Sequence, residues 1–206
     1  MKKILQTKWS SPHFLEYIQP HLAALASASP KLNCVDFSGI VIGPDSDLDT
    51  LRGLSLHQAQ IKAVNFSHAV LATSFNHSCL EQVDFAYAQL DYCAFNQARI
   101  EKSSFLHAQI LANMDDVVCV DCIFDSALFI AGMAGMEFGG RRATFINCDF
   151  TAAIFQAVAF RAARFIDCTF YKTQFVSCDL RGMKVQGGTA LQPQQFKLMT
   201  VPKGVC

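Results

Sequence analysis

The sequence predicts a solenoid, an elongated fold built from stacked short repeats, and two observations support that prediction. A bulky apolar residue recurs every five positions without exception from Phe145 to Val185. A smaller residue stands two positions before each of them, as Ala143, Cys148 and Ala153 do at the start of the run. A period of five matches neither the 3.6-residue period of an α-helix nor the two-residue period of a β-strand. Such fixed self-similarity is typical of repeats that bury their apolar faces only against stacked neighbours.

Composition favours one elongated domain in the cytoplasm. The chain has 206 residues and no run of eighteen apolar residues that would cross a membrane. Its basic N-terminus is followed by polar residues from Gln6 to His13, which break the apolar core of a secretory signal. Nine cysteines form no disulfide framework, and Cys93, Cys148, Cys168 and Cys178 fall on the small inward positions of repeats, where a thiol packs as a compact apolar group.

Residues 1–33 lack the repeat and are predicted to form an N-terminal helical cap. Ser11-Pro12 is a helix start, and apolar residues follow at helical spacing. Pro20 is expected to interrupt that helix, with a second short helix over 21–28.

Residues 34–186 are predicted to form the repeat domain, with loop interruptions near 43–52 and 111–142. The first interruption contains Gly43-Pro44 and three aspartates, which are loop residues. The repeat slips by one residue after Leu71, and the five-residue register is lost from Leu111 to Gly140. One or two protrusions are expected there, and such loops often carry the function of a rigid scaffold.

Residues 187–206 are predicted to form a C-terminal cap and dimerisation segment. Pro193 suits the first position of a short helix over 194–199. An open end of stacked strands must be covered. We therefore expect a two-fold homodimer through the apolar side chains of Leu191, Phe196 and Met199.

The repeat units resemble a known family. Ala-Gln-Leu-Asp-Tyr at 88–92, Ala-Arg-Ile-Glu-Lys at 98–102 and Cys-Asp-Leu-Arg-Gly at 178–182 resemble the repeat motif of the pentapeptide-repeat proteins. The resemblance covers roughly residues 34–186. It implies an all-β fold, a right-handed quadrilateral β-helix with four pentapeptides per coil. Within the family, the small size, the loop interruptions and the expected C-terminal helix of this chain resemble the quinolone-resistance proteins. Those proteins bind DNA gyrase and topoisomerase IV as dimers and mimic DNA, and the resemblance implies the same partners here.

Charge is distributed unevenly although the net charge is zero. From Glu81 to Glu137 there are nine acidic and two basic residues, and from Arg141 to Lys184 seven basic and three acidic ones. With twenty residues per coil, residues twenty apart should lie about 4.8 Å from each other. Arg141, Arg161 and Arg181 would then form a vertical ladder, with Arg164 and Lys184 on the adjoining side. Two interpretations stay open: neutralisation by Asp167 and Asp179, or an anionic partner.

The acidic half offers a second candidate surface. Glu81 and Glu101 should stack by the same rule. Four aspartates lie where the register is lost and are expected to project, either as a solvated loop or as a docking patch. They are Asp115, Asp116, Asp121 and Asp125.

Enzymatic and metal-binding motifs are absent from the sequence. Cys119 and Cys122 have the spacing of zinc ligands, but no second pair accompanies them. Asp45, Asp47 and Asp49 resemble the start of a calcium loop that lacks its glycine and glutamate. His68, His77 and His107 are expected to face outward on different sides, without ligand partners. We therefore expect a non-enzymatic protein without a cofactor, metal or small-molecule substrate.

Two functions are compatible with these observations. In the first, the protein binds a type II topoisomerase (DNA gyrase) as a DNA mimic and protects it from quinolones or toxins. In the second, it is a scaffold or regulatory module whose C-terminal arginine ladder binds an acidic protein or a nucleic-acid backbone. The net positive half departs from the uniform acidity that DNA mimicry requires.

Overall fold

The computed structural model describes residues 7–132 and 138–204, and these form a β-solenoid with four flat sides. Side 1 is a sheet of eight parallel strands, here the odd sheet. Its strands are β1 (Lys31–Asn33), β3 (Gln60–Lys62), β5 (Cys79–Glu81), β7 (Arg99–Glu101), β9 (Val118–Val120), β11 (Thr144–Ile146), β13 (Arg164–Ile166) and β15 (Lys184–Gln186).

Side 3 is a second sheet of eight parallel strands, the even sheet. Its strands are β2 (Val41–Ile42), β4 (Val70–Leu71), β6 (Gln89–Ala94), β8 (Gln109–Asn113), β10 (Leu128–Ile130), β12 (Ile154–Gln156), β14 (Gln174–Val176) and β16 (Phe196–Lys197). Sides 2 and 4 are columns of single bridges and turns, with Asp84 bridging Ser104 on side 2 and Ala159 bridging Asp179 on side 4. The β-helix predicted from the sequence is confirmed.

The five-residue period places one bulky side chain per side inside the coil. The rings of equivalent phenylalanines stack from coil to coil, with centroids 5.0 Å apart for Phe145 and Phe165 and 4.8 Å for Phe155 and Phe175. All four are at most 1% exposed. Stacked and edge-to-face aromatic contacts add to the free energy of apolar burial. On side 2 the rings form an unbroken stack from Phe37 to Phe170.

Many corners place a residue in the left-handed conformation, and side chains other than glycine often occupy that position. His68, Tyr87 and His107 have φ between 54° and 59° at the corner between sides 2 and 3. A polar side chain three positions before the left-handed residue stabilises the turn. Before Tyr87, for example, Asp84 Oδ1 accepts a hydrogen bond from the Ala86 N–H at 2.8 Å. A left-handed residue costs roughly 1–2 kcal/mol, and the stacked core offsets that cost at every coil.

Insertions and deletions leave the stacking intact. Ile61 pairs with Leu80 nineteen residues later, which places the one-residue slip after Leu71 in the coil as the sequence indicated. Residues 43–55 leave the coil and include one 3₁₀ turn, Asp49–Leu51. Cys119 pairs with Phe145 twenty-six residues later, so the coil there holds an insertion.

The predicted interruption over 111–142 is much shorter in the structure. β8, β9, β10 and β11 all continue the two sheets through this segment; β10 ends at Ile130, and Gly139 again bridges Asn113 on side 4. Residues 133–137, including the acidic Glu137, lie outside the described part. The chain re-enters the coil at Gly139, where φ is 140° and an added Cβ would lie 2.2 Å from the Ala159 carbonyl oxygen. The loss of the five-residue register thus accompanies an insertion between Cys119 and Phe145, whereas the strands of the segment keep their stacking.

The two ends differ from the predicted caps. One helix, α1 (Pro12–Leu25), covers the first coil, and Pro20 lies inside it rather than ending it. Ile18, Leu22 and Leu25 are buried on both sides of the proline, so packing holds the helix together despite the lost hydrogen bond. The predicted C-terminal helix is wrong: a 3₁₀ turn, Pro193–Gln195, leads into β16, because Phe196 continues the core and stacks on Phe175 at 5.2 Å.

Candidate partner-binding surface

The acidic and basic segments lie next to each other on side 4. Asn76, Asn96, Asp115 and Arg141 occupy the same outward position of successive coils. The Asn96 N–H donates to Asn76 Oδ1 at 2.8 Å, the Asp115 N–H to Asn96 Oδ1 at 3.1 Å, and the Arg141 N–H to Asp115 Oδ1 at 2.8 Å. A ladder of side-chain acceptors therefore runs up this side and ends at the first arginine.

Two of the four aspartates expected to project are instead ion-paired with arginines of the next coil. Arg141 Nε donates to Asp115 Oδ2 at 3.0 Å, and Arg142 contacts Asp116 through two hydrogen bonds of 2.7 and 2.6 Å. The Arg142 guanidinium holds the pKa of Asp116 below its ordinary value. The loop insertion brings the partners of each pair, twenty-six residues apart, onto neighbouring coils.

The other two aspartates also lie on the coil surface. Asp121 accepts a hydrogen bond from the Asn147 amide at 2.7 Å, and Asp125 accepts one from the Ser126 hydroxyl at 2.8 Å. None of the four stands on a protrusion. The expectation that they project is therefore wrong, because the segment keeps the strand register of the coils above and below it.

Glu81 and Glu101 stack as the spacing predicted, in β5 and β7 of the odd sheet. Each has a basic neighbour. Lys62 lies 2.9 Å from a Glu81 carboxylate oxygen, and Arg99 pairs with Glu101. In the acidic half, Glu81, Glu101, Asp115 and Asp116 thus pair with basic side chains, and sides 1 and 4 of the described structure carry no uninterrupted acidic stripe.

The arginine ladder is present on side 4. The Arg142 N–H bonds to the Arg161 carbonyl and the Ala162 N–H to the Arg181 carbonyl, which stacks Arg141, Arg161 and Arg181 on successive coils. Asp179 pairs with both Arg161 and Arg181. These contacts, with Arg181 the largest contributor, hold the pKa of Asp179 far below its ordinary value. One carboxylate thus bridges two guanidiniums. Neutralisation by acidic side chains was one of the two interpretations that the sequence left open, the other being an anionic partner.

Arg164 and Lys184 form the second basic column, on side 1. They pair in register on β13 and β15, and both side chains are exposed. No carboxylate among the described residues lies within ion-pair distance of either one. The corner between the two columns carries only the small residues Ala162 and Gly182, and an added Cβ at Gly182 would have ordinary contacts at 3.7 Å.

These four cations form the basic cluster: Arg161, Arg164, Arg181 and Lys184. Its only acidic member is Asp179, so the cluster keeps a net positive charge at neutral pH. Lys203 lies nearby, because it lines a shallow cleft together with Arg181. Because side 1 and side 4 meet at a corner without bulky side chains, a flat or extended anionic segment can contact both columns.

The predicted dimerisation residues pack within their own chain. Leu191 is 2% exposed and Phe196 is 8% exposed, and Met199 lies partly buried against the core. Phe196 is held in place by its stacking on Phe175 and by the preceding turn, where Gln195 Nε2 donates to the Phe170 and Thr173 carbonyls. Leu191 and Phe196 therefore offer little apolar surface to a second copy, and dimerisation stays a prediction.

The histidines show one arrangement that the sequence analysis missed. His68 and His107 do not face different sides: their rings stack on opposite faces of Tyr87, with centroids 4.9 and 5.0 Å apart. His77 lies on another corner, beside His57. The signal was present in the spacing, because 68, 87 and 107 are separated by one shortened coil and one full coil.

Six of the eight described cysteines are core residues, and Cys34 and Cys79 are exposed. Cys93, Cys119, Cys122, Cys148, Cys168 and Cys178 are buried free thiols, and burial raises the pKa of Cys93 to about 12. In the part of the chain that the structure describes, no group of three or more histidine, cysteine or acidic side chains is arranged to hold a metal ion. No helix among the described residues is long and apolar enough to span a membrane.

Comparisons with known proteins agree on the fold. Residues 143–182 match a family model described as pentapeptide repeats, with eight copies. A trypsin-treated variant of QnrB1, a plasmid-mediated fluoroquinolone resistance protein, has a similar structure: the TM-score is 0.64 with 11% identity, over 81% of this chain and 79% of that one. HetL, a pentapeptide-repeat protein involved in heterocyst differentiation regulation in the cyanobacterium Nostoc, matches with a TM-score of 0.34 and 13% identity, over 85% and 93%. No curated protein matches the sequence.

Proposed function

We propose, from the premise that this chain is a pentapeptide-repeat protein, that it is a non-enzymatic interaction protein whose basic cluster binds an acidic protein surface. One observation carries the proposal. Arg164 and Lys184 are exposed and stacked in register, and no described carboxylate pairs with them. The acidic segment, by contrast, is engaged by Arg141 and Arg142.

Stacked like charges repel each other unless they are compensated, so the basic cluster favours an anionic partner. Cations on adjacent strands repel each other, and the fold compensates only the pair on side 4, through Asp179. Exposed charges act over a Debye length of ~8 Å at physiological ionic strength. An anionic surface that covers the corner would relieve the repulsion, and its association would be steered electrostatically.

A second hypothesis is that the protein binds a type II topoisomerase, such as DNA gyrase, as a dimeric DNA mimic in the cytoplasm. The fold shared with a fluoroquinolone resistance protein favours it. The pairing of Asp115 and Asp116 with arginines weighs against it, because a DNA mimic needs unpaired negative charge along the rod.

Two matched sets of variants separate the hypotheses. The first replaces Arg164 and Lys184 with glutamine, which removes two charges without breaking an ion pair. The second replaces the four aspartates of the acidic segment with asparagine. Lys31→Gln is the control, since Lys31 lies on the outer face of the odd sheet at its opposite end.

Pull-down from the host, with bound proteins identified by mass spectrometry, and binding to purified gyrase are the measurements. If the basic cluster is the docking surface, the first set loses an acidic partner, and the second set and the control keep it. If the acidic segment binds gyrase, the second set loses gyrase binding and quinolone protection, and the first set and the control keep both. A partner retained by both sets contradicts both hypotheses.

A further inference from the structure

The odd sheet ends in an unpaired strand edge at its C-terminal end. Among the described strands, β15 pairs with β13 alone. The Lys184 N–H donates to the Ala163 carbonyl at 2.9 Å, and the Asp167 N–H donates to the Gln186 carbonyl at 2.8 Å. Alternate residues of a parallel strand bond to opposite neighbours. The N–H and C=O of Val185 therefore face away from β13, and no described residue bonds to them.

The even sheet is closed differently at the same end. There β16 adds to β14, and the Phe196 N–H bonds to the Pro193 carbonyl within the turn. No described strand is added above Val185, which packs against the core but stays partly exposed, whereas the equivalent Phe145 and Phe165 are at most 1% exposed. A strand edge with free backbone groups and a half-covered apolar side chain is a template for one more strand.

The charges beside this edge select the occupant. Lys184 stands on the edge strand itself, Arg164 lies one strand below it, and Arg181 lies across the corner. A second copy of the chain would bring a second set of the same cations to the interface, which charge repulsion disfavours. An acidic extended segment has the opposite charge and supplies the missing backbone partners.

We propose that an extended acidic segment of a partner protein adds to β15 as a further strand of the odd sheet. This inference rests on the proposed function, because it assigns the partner a chemistry and a binding mode. Backbone bonds to Val185 fix the register. An apolar side chain of the added strand would cover Val185, and an acidic residue next to it in sequence would stand ~4.8 Å from Lys184 on the outer face. The recognised pattern is thus an apolar residue flanked by an acidic one.

The probe is a fluorescein-labelled synthetic peptide that alternates glutamate and valine, with binding measured by fluorescence anisotropy. Val185→Pro removes the outward N–H at an edge position where proline is tolerated, and it should weaken binding about 5-fold, the worth of a lost hydrogen bond. Val185→Thr keeps the N–H and the side-chain shape and should change binding less than 2-fold. A peptide N-methylated at its central glutamates, whose N–H groups face the Val185 carbonyl when a valine covers Val185, should bind the wild-type protein as weakly as the unmodified peptide binds Val185→Pro.

Hydrogen exchange of the Val185 amide in the wild-type protein gives a readout independent of any variant's folding. The amide should exchange rapidly in the free protein and at least 10-fold more slowly with saturating peptide. Unchanged exchange, or equal affinity for Val185→Pro and Val185→Thr, would overturn strand addition. If strand addition failed but replacement of Arg164 and Lys184 with glutamine still abolished binding, the proposed function would hold without the strand-addition mode. Displacement of the peptide by a single-stranded DNA oligonucleotide at equal concentration would overturn the acidic segment in favour of nucleic acid.

Discussion

Replacing Phe165 with alanine tests the stacked core directly. The Phe165 ring lies 5.0 Å from Phe145 in a stacked arrangement and 5.5 and 5.4 Å from Phe150 and Phe170 edge-to-face, and its residue is 1% exposed. The substitution removes the apolar transfer free energy of a whole ring and leaves a cavity that rigid coils above and below cannot close. We expect a loss of about 3–5 kcal/mol in the free energy of unfolding.

The assay is urea unfolding followed by circular dichroism, with thermal unfolding as a second measurement. A loss of that size should lower the melting temperature by about 6–20 °C in a chain of this length. Phe165→Leu is the matched control, because it retains most of the volume and should cost ~1 kcal/mol. A loss below about 1 kcal/mol for the alanine variant would refute the stacked core at this coil, because removal of a buried phenylalanine ring costs more than that.

Three further predictions follow from the described contacts. Asp179→Asn should destabilise the protein at neutral pH, as measured by urea unfolding, and the difference from wild type should shrink below pH 4. Folding depresses the pKa of this carboxyl, so its contribution to stability is present above its unfolded pKa. That contribution is lost as the pH falls toward the folded pKa. In the native protein, Cys34 and Cys79 should react with a thiol reagent far faster than the six buried thiols, as measured by mass spectrometry of labelled peptides; equal labelling would contradict the inward positions. Truncation after Gly188 removes β16 and exposes Phe175, so the truncated protein should melt at lower temperature and aggregate, and an unchanged melting temperature would show that the tail is not part of the core.

The fold was largely predictable from the five-residue period together with the family resemblance, which implies four pentapeptides and so twenty residues per coil. Because a centre recurs every five residues, the sequence already placed Phe145 and Phe165 inside and stacked, and the twenty-residue spacing placed Arg161 over Arg181. Both follow from local geometry, since each coil repeats the one below it at the spacing of neighbouring strands. The candidate basic ladder was predictable for the same reason.

The caps were less predictable. Pro20 indicated a helix break, yet the helix continues because its apolar face is anchored on the first coil. In the sequence, Phe196 suits an apolar position of a helix as well as it suits the central position of a strand. It forms a strand because its ring stacks on the otherwise open face of Phe175. Propensity weighs local preference, whereas packing at the ends depends on what the last coil leaves uncovered.

By itself the sequence determined the repeat, the core and the identity of the stacked residues. Only the tertiary structure decided which charges pair. Asp115 and Arg141 are twenty-six residues apart, and the sequence could not show that an insertion places these two on adjacent coils. It also could not show that β15 is the last described strand of the odd sheet. The physical reason is the same in both cases: spacing fixes contacts within a regular repeat, but the path of an insertion and the covering of an end depend on interactions between segments that no local pattern encodes.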